Sequence, residues 1–536
     1  MTAASIRALA RERLGFERLR PGQLRAMEAV VGGRDALAVL PTGAGKSAIY
    51  ELAGLLRTGP TLIVTPLIAL ENDQRAHLES AGLSATVLNS RLSGRARAAA
   101  LATSRRPDEF VFVSPEELAN AEVGETLRHA RPGLFVVDEA HLISQWGQDF
   151  RPDYLRLGVQ ADALGAPVRL ALTATAAPPV RAEIVRRLGL RDPEVVIGGF
   201  DRANIELSVQ RAATAAEKQH RLEASASELA GPGIVYAATR AGAEVAMDHL
   251  AAAGHRVTLY HAGLSTSDRR RAMEAFLDGS ARIIAATVAF GMGIDKPDVR
   301  WVVHADVPSS LDAYYQEFGR AGRDGEPAHA RLLYRPSDMA MARRLTARPV
   351  SNAVVGAVAE RLATRPHDSD LDELVAALRF GARSVTLAVA RLVDIGAASW
   401  STEGRIAWTG SRGIPDALRA SEGESAREQE VDRSRTEMMR RYAETTGCRR
   451  SFLLTAFGED YRGPCGNCDN DRRRPRRERG LEPFAPGERV VSVRWGEGTV
   501  QRYDGDQLTV LFDDHGYRDL LVSLVLERGL LRGAGR

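Results

Sequence analysis

Cysteine is nearly absent from this chain of 536 residues: Cys448, Cys465 and Cys468 are the whole complement. Three thiols crowded into one short stretch cannot form a disulfide framework, so a small secreted scaffold is excluded and a reducing, cytosolic compartment is expected. No apolar run reaches the ~18 residues of a membrane span, and the N-terminus MTAASIRALARERLG has no signal-peptide core. The net charge of +3 is too small to indicate a partner. Lysine is as scarce as cysteine, with Lys46, Lys218 and Lys296 standing against sixty-nine arginines. Arginine-rich codon usage accounts for the bias. Each surviving lysine still raises the question of what a planar guanidinium could not do there. The length and the 44% hydrophobic content predict three to five separately cored domains.

Lys46 answers first. It lies in AVLPTGAGKS, where an apolar strand runs into a glycine loop and then a helix start. Thr42, Gly43, Ala44 and Gly45 would turn backbone N–H groups inward around phosphates, with the helix N-terminus adding partial positive charge. The compact ammonium of Lys46 suits the β- and γ-phosphates, and Ser47 is placed to bind Mg²⁺. The pattern implies binding of ATP or another nucleoside triphosphate. Hydrolysis needs an acid pair at the end of a second strand, and LFVVDEAH supplies it. Asp138 would hold the Mg²⁺ shell and Glu139 would orient and deprotonate the attacking water. His141 follows at once, and then ALTATA at 171–176. This order of elements implies an α/β motor of two tandem RecA-like lobes. The second lobe is GIVYAATR, LYHAGLS and IIAATVAFGMGID in βα rhythm, and YYQEFGRAGRDG offers Arg320 and Arg323 to the γ-phosphate.

Taken together, LRPGQ, LPTGAGKS, TPLIAL, DEAHLISQWGQDFRP, TVAFGMGIDKP and QEFGRAGRDG resemble the RecQ-type DNA helicases over residues 10–345. The resemblance implies an ATP-dependent helicase, moving 3′-to-5′ on tailed or forked duplexes and single strands in the bacterial nucleoid. It also implies residue roles. Phe16 would stack on adenine, Arg20 would assist, Gln23 would read the base edge, and Asp295 would join the nucleotide site. Gln316, Arg320 and Arg323 would act in catalysis, with Arg323 as the arginine finger. Thr65, Pro66, Ser114, Pro115 and Thr287 would contact the DNA backbone. Trp146, Phe150 and Arg151 match an aromatic-rich loop that couples single-stranded DNA to ATP turnover. The chain departs from the family at Leu142 and Gln148, where cysteine and histidine are usual. An RNA-directed translocase and a scaffold with a vestigial ATPase are the rival readings.

Beyond residue 347 the order of modules is unusual. Residues 348–415 read as helices followed by a hairpin, a winged helix whose Trp400 and Trp408 are either a strand-separating wedge or cover for the small core. Residues 416–471 lead through a helical run into CRRSFLLTAFGEDYRGPCGNCDND, which resembles the RecQ zinc module. Asp471 stands where the family has its fourth cysteine. Carboxylate oxygen binds zinc well, so Cys448, Cys465, Cys468 and Asp471 form a candidate site for Zn²⁺, with a redox pair or a lost metal as alternatives. RRRPRRERG within 472–484 reads as a basic linker. Residues 485–536 alternate polar and apolar across glycine turns, as a small SH3/Tudor-like β-barrel would. That barrel resembles modules of UvrD-type helicases and CarD-type transcription factors, which implies RNA polymerase as a partner. The charged linker predicts that the barrel moves independently of the motor.

Overall fold

The computed structural model describes residues 3–41, 45–66, 68–89, 92–144, 152–165, 167–291, 296–346, 350–364, 368–401, 404–459, 461, 463–473, 482–504 and 506–534. The chain divides into two compact units, residues 1–198 with 349–428 and residues 199–348 with 429–536.

The first unit is built on seven strands: β1 (Ala36–Val39), β2 (Thr61–Val64), β3 (Ala85–Leu88), β4 (Phe110–Val113), β5 (Leu134–Val137), β6 (Val168–Thr173) and β7 (Glu194–Ile197). The order is β3-β4-β2-β5-β6-β1-β7 and every pairing is parallel. Runs such as ALAV, TLIV and LFVV carry no polar alternation because helices cover both faces of a parallel sheet. Also in this unit is a three-helix module, Asn352–Ala363, Leu371–Leu378 and Ala382–Asp394, closed by the antiparallel pair β14 (Ala398–Trp400) and β15 (Ile406–Trp408). Three helices closed by a hairpin are the elements of the winged helix expected here. Trp400 and Trp408 are both partly buried against its core, as the covering role requires.

The second unit holds β8 (Ile205–Arg211), β9 (Gly233–Tyr236), β10 (Val257–Tyr260), β11 (Ile283–Ala286), β12 (Trp301–His304) and β13 (Ala328–Tyr334), ordered β10-β11-β9-β12-β13-β8 and again all parallel. Strand β8 forms one edge of this sheet, and the cysteine knuckle covers it. Leu207 N donates to Asn467 O at 3.3 Å, Val209 N donates to Asp469 Oδ2 at 3.1 Å, and Leu207 bridges Cys468 in parallel register. Arg450 adds an ion pair to Asp201.

The C-terminal strands β16 (Arg489–Ser492), β17 (Gly496–Asp504), β18 (Gln507–Phe512), β19 (Gly516–Leu521) and β20 (Arg532–Gly533) form an antiparallel sheet in the order β19-β18-β17-β16-β20. Its core is Val490, Val500, Leu508, Val510 and Phe512. This sheet is docked, contrary to the independent motion expected of it. The Arg502 guanidinium sits 3.6 Å above the Phe452 ring, Arg441 pairs with Asp519, and Arg518 pairs with Glu430. Gly516 lies so close to the helix Ile414–Glu444 that a Cβ there would meet Ser434 Oγ at 2.1 Å. A charged run in the chain reports only on itself; the fit of the surface beyond it decides whether a domain docks.

Two of the three lysines act as point charges within the second unit. Lys218 Nζ bridges Asp306 Oδ1 at 2.7 Å and Asp338 Oδ2 at 2.8 Å, and Lys296 Nζ lies 3.1 Å from Asp298 Oδ1 and 3.2 Å from the Leu277 carbonyl. No helix among the described residues is long and apolar enough to cross a membrane.

Candidate nucleotide site and metal centre

Strands β5, β6 and β1 are neighbours, so three strand ends open side by side at one carboxyl edge of the first sheet, the edge at which parallel α/β sheets bind ligands. Strand β1 leads toward the phosphate loop. Thr42, Gly43 and Ala44 lie outside the described residues. Gly45 has φ +69°, and the helix Ser47–Leu56 begins directly after Lys46. A Cβ at Gly45 would come within 2.8 Å of the mobile end of Gln23 at Nε2, so it is the positive φ that calls for glycine here. Gln23 Nε2 donates to Gly45 O at 2.9 Å, and its Oε1 accepts from Arg20 N at 2.7 Å. Gln23 therefore ties the helix Pro21–Val31 to the phosphate loop. Phe16 packs against the hydrophobic core beneath that helix. Lys46 Nζ donates to Leu40 O at 3.2 Å, which holds the ammonium at the mouth of the loop. Ser47 hydrogen-bonds Glu51, a buried carboxylate whose pKa is raised by desolvation. Sequence reading passed over Glu51, although its position four residues after Ser47 on one helix face was the available signal.

The acid pair follows β5. Asp138 N donates to Val64 O at 2.9 Å, and Asp138 Oδ1 accepts from Glu139 N at 2.9 Å. Burial, and then the adjacent Glu139, push Asp138 up to about 6, while Lys46 pulls in the opposite direction. Glu139 adopts a left-handed backbone with φ 49° and ψ 44°, uncommon for a side chain of this size and frequent at functional sites. Its Oε2 lies 3.2 Å from His141 Nδ1. The same nitrogen is 2.9 Å from Thr173 Oγ1, whose hydroxyl donates to Thr175 O at 2.9 Å. Thr173 has no second proton to give, so His141 Nδ1 carries the hydrogen. His141 Nδ1 thus lies between the Glu139 carboxylate and the Thr173 hydroxyl at the end of β6.

In the second unit, Thr287 is buried just past the end of β11, Gln316 is half-buried on the helix Leu311–Phe318, and Arg320 and Arg323 follow that helix. Tyr236 donates to Phe290 O at 2.6 Å; burial pushes this tyrosine up to about 12, and Arg320 beside it acts in the opposite sense. A Cβ at Gly291 would lie 3.0 Å from Arg320 Nη2, so that glycine lets the guanidinium rest against the backbone. Asp295 lies outside the described residues.

Thr65 and Pro66 follow β2, and Ser114 and Pro115 follow its neighbour β4; Thr65 N donates to Val113 O at 3.2 Å. Thr65 is fully buried, and the Ser114 hydroxyl caps the helix Pro115–Leu118 by accepting from Glu117 N at 3.2 Å. These side chains turn inward. Trp146, Gln148, Phe150 and Arg151 lie outside the described residues.

Cys448, Cys465, Cys468 and Asp471 converge, with one ligand atom from each lying within 4.8 Å of all the others. Each sulfur accepts a backbone N–H: Cys448 from Ser451 at 3.5 Å, Cys465 from Asn467 at 3.3 Å and Cys468 from Asp471 at 3.4 Å. Such contacts favour the thiolate, the form that binds metal. Hydrogen bonds among the three thiols hold Cys468 far below the usual thiol range and leave Cys448 and Cys465 above it, so one thiolate is shared by the cluster in the absence of metal. Asp471 Oδ2 accepts from Cys465 N at 2.6 Å and Gly466 N at 3.2 Å, which fixes the carboxylate against the knuckle. Three sulfurs and one carboxylate in this spacing fit a closed four-coordinate Zn²⁺ site. Among the described residues, nothing around the knuckle resembles the βα context of a redox pair.

Three family models match the chain: DEAD/DEAH box helicase over residues 20–183, helicase conserved C-terminal domain over 217–325, and RecQ zinc-binding over 414–472. The chain is 42% identical over 326 residues to the probable ATP-dependent DNA helicase RecS of Bacillus subtilis, covering 60% of this chain and 66% of that protein. It is 31% identical over 458 residues to the ATP-dependent DNA helicase RecQ of Haemophilus influenzae, covering 85% of this chain and 61% of that one. Thus the chain spans between about half and two thirds of the length of such curated relatives. The fold is similar to the crystal structure of the DUF1998 helicase MrfA bound to DNA, with a TM-score of 0.53 at 17% identity over 77% of this chain and 63% of that one. With both motor segments, the RecQ zinc-binding segment and the sheet order in agreement, the chain belongs to the RecQ-type helicases of superfamily 2.

Proposed function

We propose that the protein is an ATP-dependent DNA helicase that unwinds tailed or forked duplexes in the 3′-to-5′ direction. The observation that carries this reading is the placement of Lys46 and the Asp138–Glu139 pair at the ends of β1 and β5, the two strands that flank β6 in one sheet, in a chain that also bears the RecQ zinc-binding segment. Lys46 and the loop from Thr42 to Ser47 hold the phosphates. Asp138 and Ser47 would hold a Mg²⁺ ion, which supplies charge neutralisation at the phosphates when bound. Glu139 orients water and accepts its proton, and the His141–Thr173 contact steadies the Glu139 carboxylate. Phe16, Arg20 and Gln23 read adenine, Asp295 is assigned to the nucleotide, and Gln316, Arg320 and Arg323 are assigned to catalysis, with Arg323 as the finger. Thr65, Pro66, Ser114, Pro115, Thr287, Trp146, Phe150 and Arg151 are assigned to DNA. The inward-turned hydroxyls of Thr65 and Ser114 favour main-chain contact with phosphates at those positions. Zn²⁺ is held by Cys448, Cys465, Cys468 and Asp471. The barrel's contacts with the zinc module support a bracing role over the RNA polymerase partner.

Strand displacement tests this reading. ATP should drive separation of a 3′-tailed duplex, with far less product from a 5′-tailed one and none from an RNA duplex. Equal turnover of ATP with RNA and DNA, without strand separation on either, would leave only a translocase.

A further inference from the structure

The acid pair and the winged helix are far apart in sequence but belong to one unit, and two separate sets of contacts join them. The first runs through a buried polar chain. Ser144, fully buried and only five residues beyond Glu139, donates to Glu183 Oε2 at 2.6 Å. Glu183 Oε1 accepts from Arg187 Nε at 2.6 Å, and Arg187 Nη2 donates to Asp394 Oδ2 at 2.7 Å. Asp394 is the last residue of the winged-helix segment Ala382–Asp394 and also pairs with Arg186 at 3.2 Å. The Glu183 and Arg187 side chains are only 7% and 8% exposed, so the pairing is shielded from solvent screening.

The second set leaves the turn Pro152–Arg156 in two directions. Toward the winged helix, Leu155 packs on Ala390 and Leu387, and the Arg156 guanidinium lies 5.2 Å over the Trp400 ring. Toward the nucleotide, the fully buried Tyr154 lies 3.3 Å from the Asp138 carbonyl as donor. Contacts from the winged helix therefore hold Ser144 on one side and residues 154–156 on the other, and both anchors touch the segment that begins with the acid pair. A winged helix used to read DNA presents its third helix to the groove. Here that helix, Ala382–Asp394, is spent on its own core and on these contacts.

We propose that the winged helix is a positioning element of the ATPase: docked through Asp394 and through Trp400 on Arg156, it holds residues 138–144 and the turn Pro152–Arg156 in the arrangement that DNA-stimulated turnover requires. Undocking it uncouples DNA binding from ATP turnover without touching a group that contacts ATP. This inference rests on the DNA-stimulated ATPase proposed above.

The test uses the full chain carrying Asp394→Asn, Asp394→Glu or Arg156→Ala. The amide variant removes the charge at this position, and the glutamate variant keeps it. Stimulation of ATP turnover by a single-stranded oligonucleotide should fall about tenfold in Asp394→Asn and Arg156→Ala, within the usual range of coupling between sites. The DNA-free rate should hold, and Asp394→Glu should retain stimulation. Amide hydrogen exchange without DNA or nucleotide should accelerate over residues 134–144 in the two uncoupled variants, while residues 283–290 exchange as before. Unchanged exchange at 134–144 in both variants overturns the proposal, as does a parallel fall of basal and stimulated rates with a lowered melting temperature. If DNA fails to stimulate the unmutated protein, the helicase reading fails, while the exchange comparison still decides the contact.

Discussion

Glu139→Gln should leave ATP and single-stranded DNA bound while slowing DNA-stimulated ATP turnover by about 10³-fold, within the range for loss of a positioned general base. The amide is isosteric, so the left-handed turn at 139 and the contact with His141 can persist while the proton acceptor is gone. Lys46→Ala should differ in kind: ATP affinity itself should fall, because the ammonium is the charge at the mouth of the phosphate loop. Arg323→Ala should slow turnover by about 10³-fold or more with ATP affinity kept, as expected for an arginine finger. All three should abolish unwinding. Single-turnover hydrolysis and equilibrium binding separate these outcomes, and a normal rate in Arg323→Ala would remove the arginine-finger assignment.

Loss of the metal should have the largest effect on the fold. Structural zinc contributes on the order of 10 kcal/mol in small modules, and this one has little apolar core apart from its contacts. Metal analysis should find about one zinc per chain. A chelator strong enough to remove it, or Cys468→Ser, should unfold residues 448–472 and lower the midpoint of thermal unfolding. Two further elements should loosen with it: strand β8 loses its cover at Leu207 and Val209, and the barrel loses the Phe452 platform under Arg502. A bare edge strand is an aggregation template, so light scattering should rise with chelation. Asp471→Ala should weaken retention, and Asp471→Cys should preserve it. Absence of zinc from the unmutated protein would sink the assignment; full retention in Asp471→Ala would transfer the fourth position to another donor.

Strands β1 and β5 could be read from the sequence because each is a short apolar run leading into a candidate site residue. VLPTGAGKS and VVDEAH declare both the strand and its site at once. The knuckle was legible for a similar reason, since its four ligands are local. Docking was not legible. Glu183, Arg187 and Asp394 are ordinary charged residues in a chain with sixty-nine arginines, and the partners of Arg187 lie 4 and 207 residues away. Nothing in their neighbourhood marks which acid each arginine will meet. The same holds for Arg502 on Phe452, where a cation and an aromatic 50 residues apart carry no shared pattern. Periodicity reports which face of an element is buried but leaves open what buries it. The barrel was therefore read correctly as a β module and wrongly as a free one.

The distribution of lysine has a consequence for covalent chemistry. Acylating reagents attack free amines and ignore guanidinium groups, so sixty-nine of the seventy-two basic side chains are invisible to them. Of the three that remain, Lys218 is clasped between two carboxylates and Lys296 is paired with Asp298. Lys46, which among the described residues donates to the Leu40 carbonyl and is not clasped by a carboxylate at salt-bridge distance, is the side-chain amine most open to reaction. The protein thus carries a nearly unique chemical handle at its nucleotide site, one that bound ATP would shield.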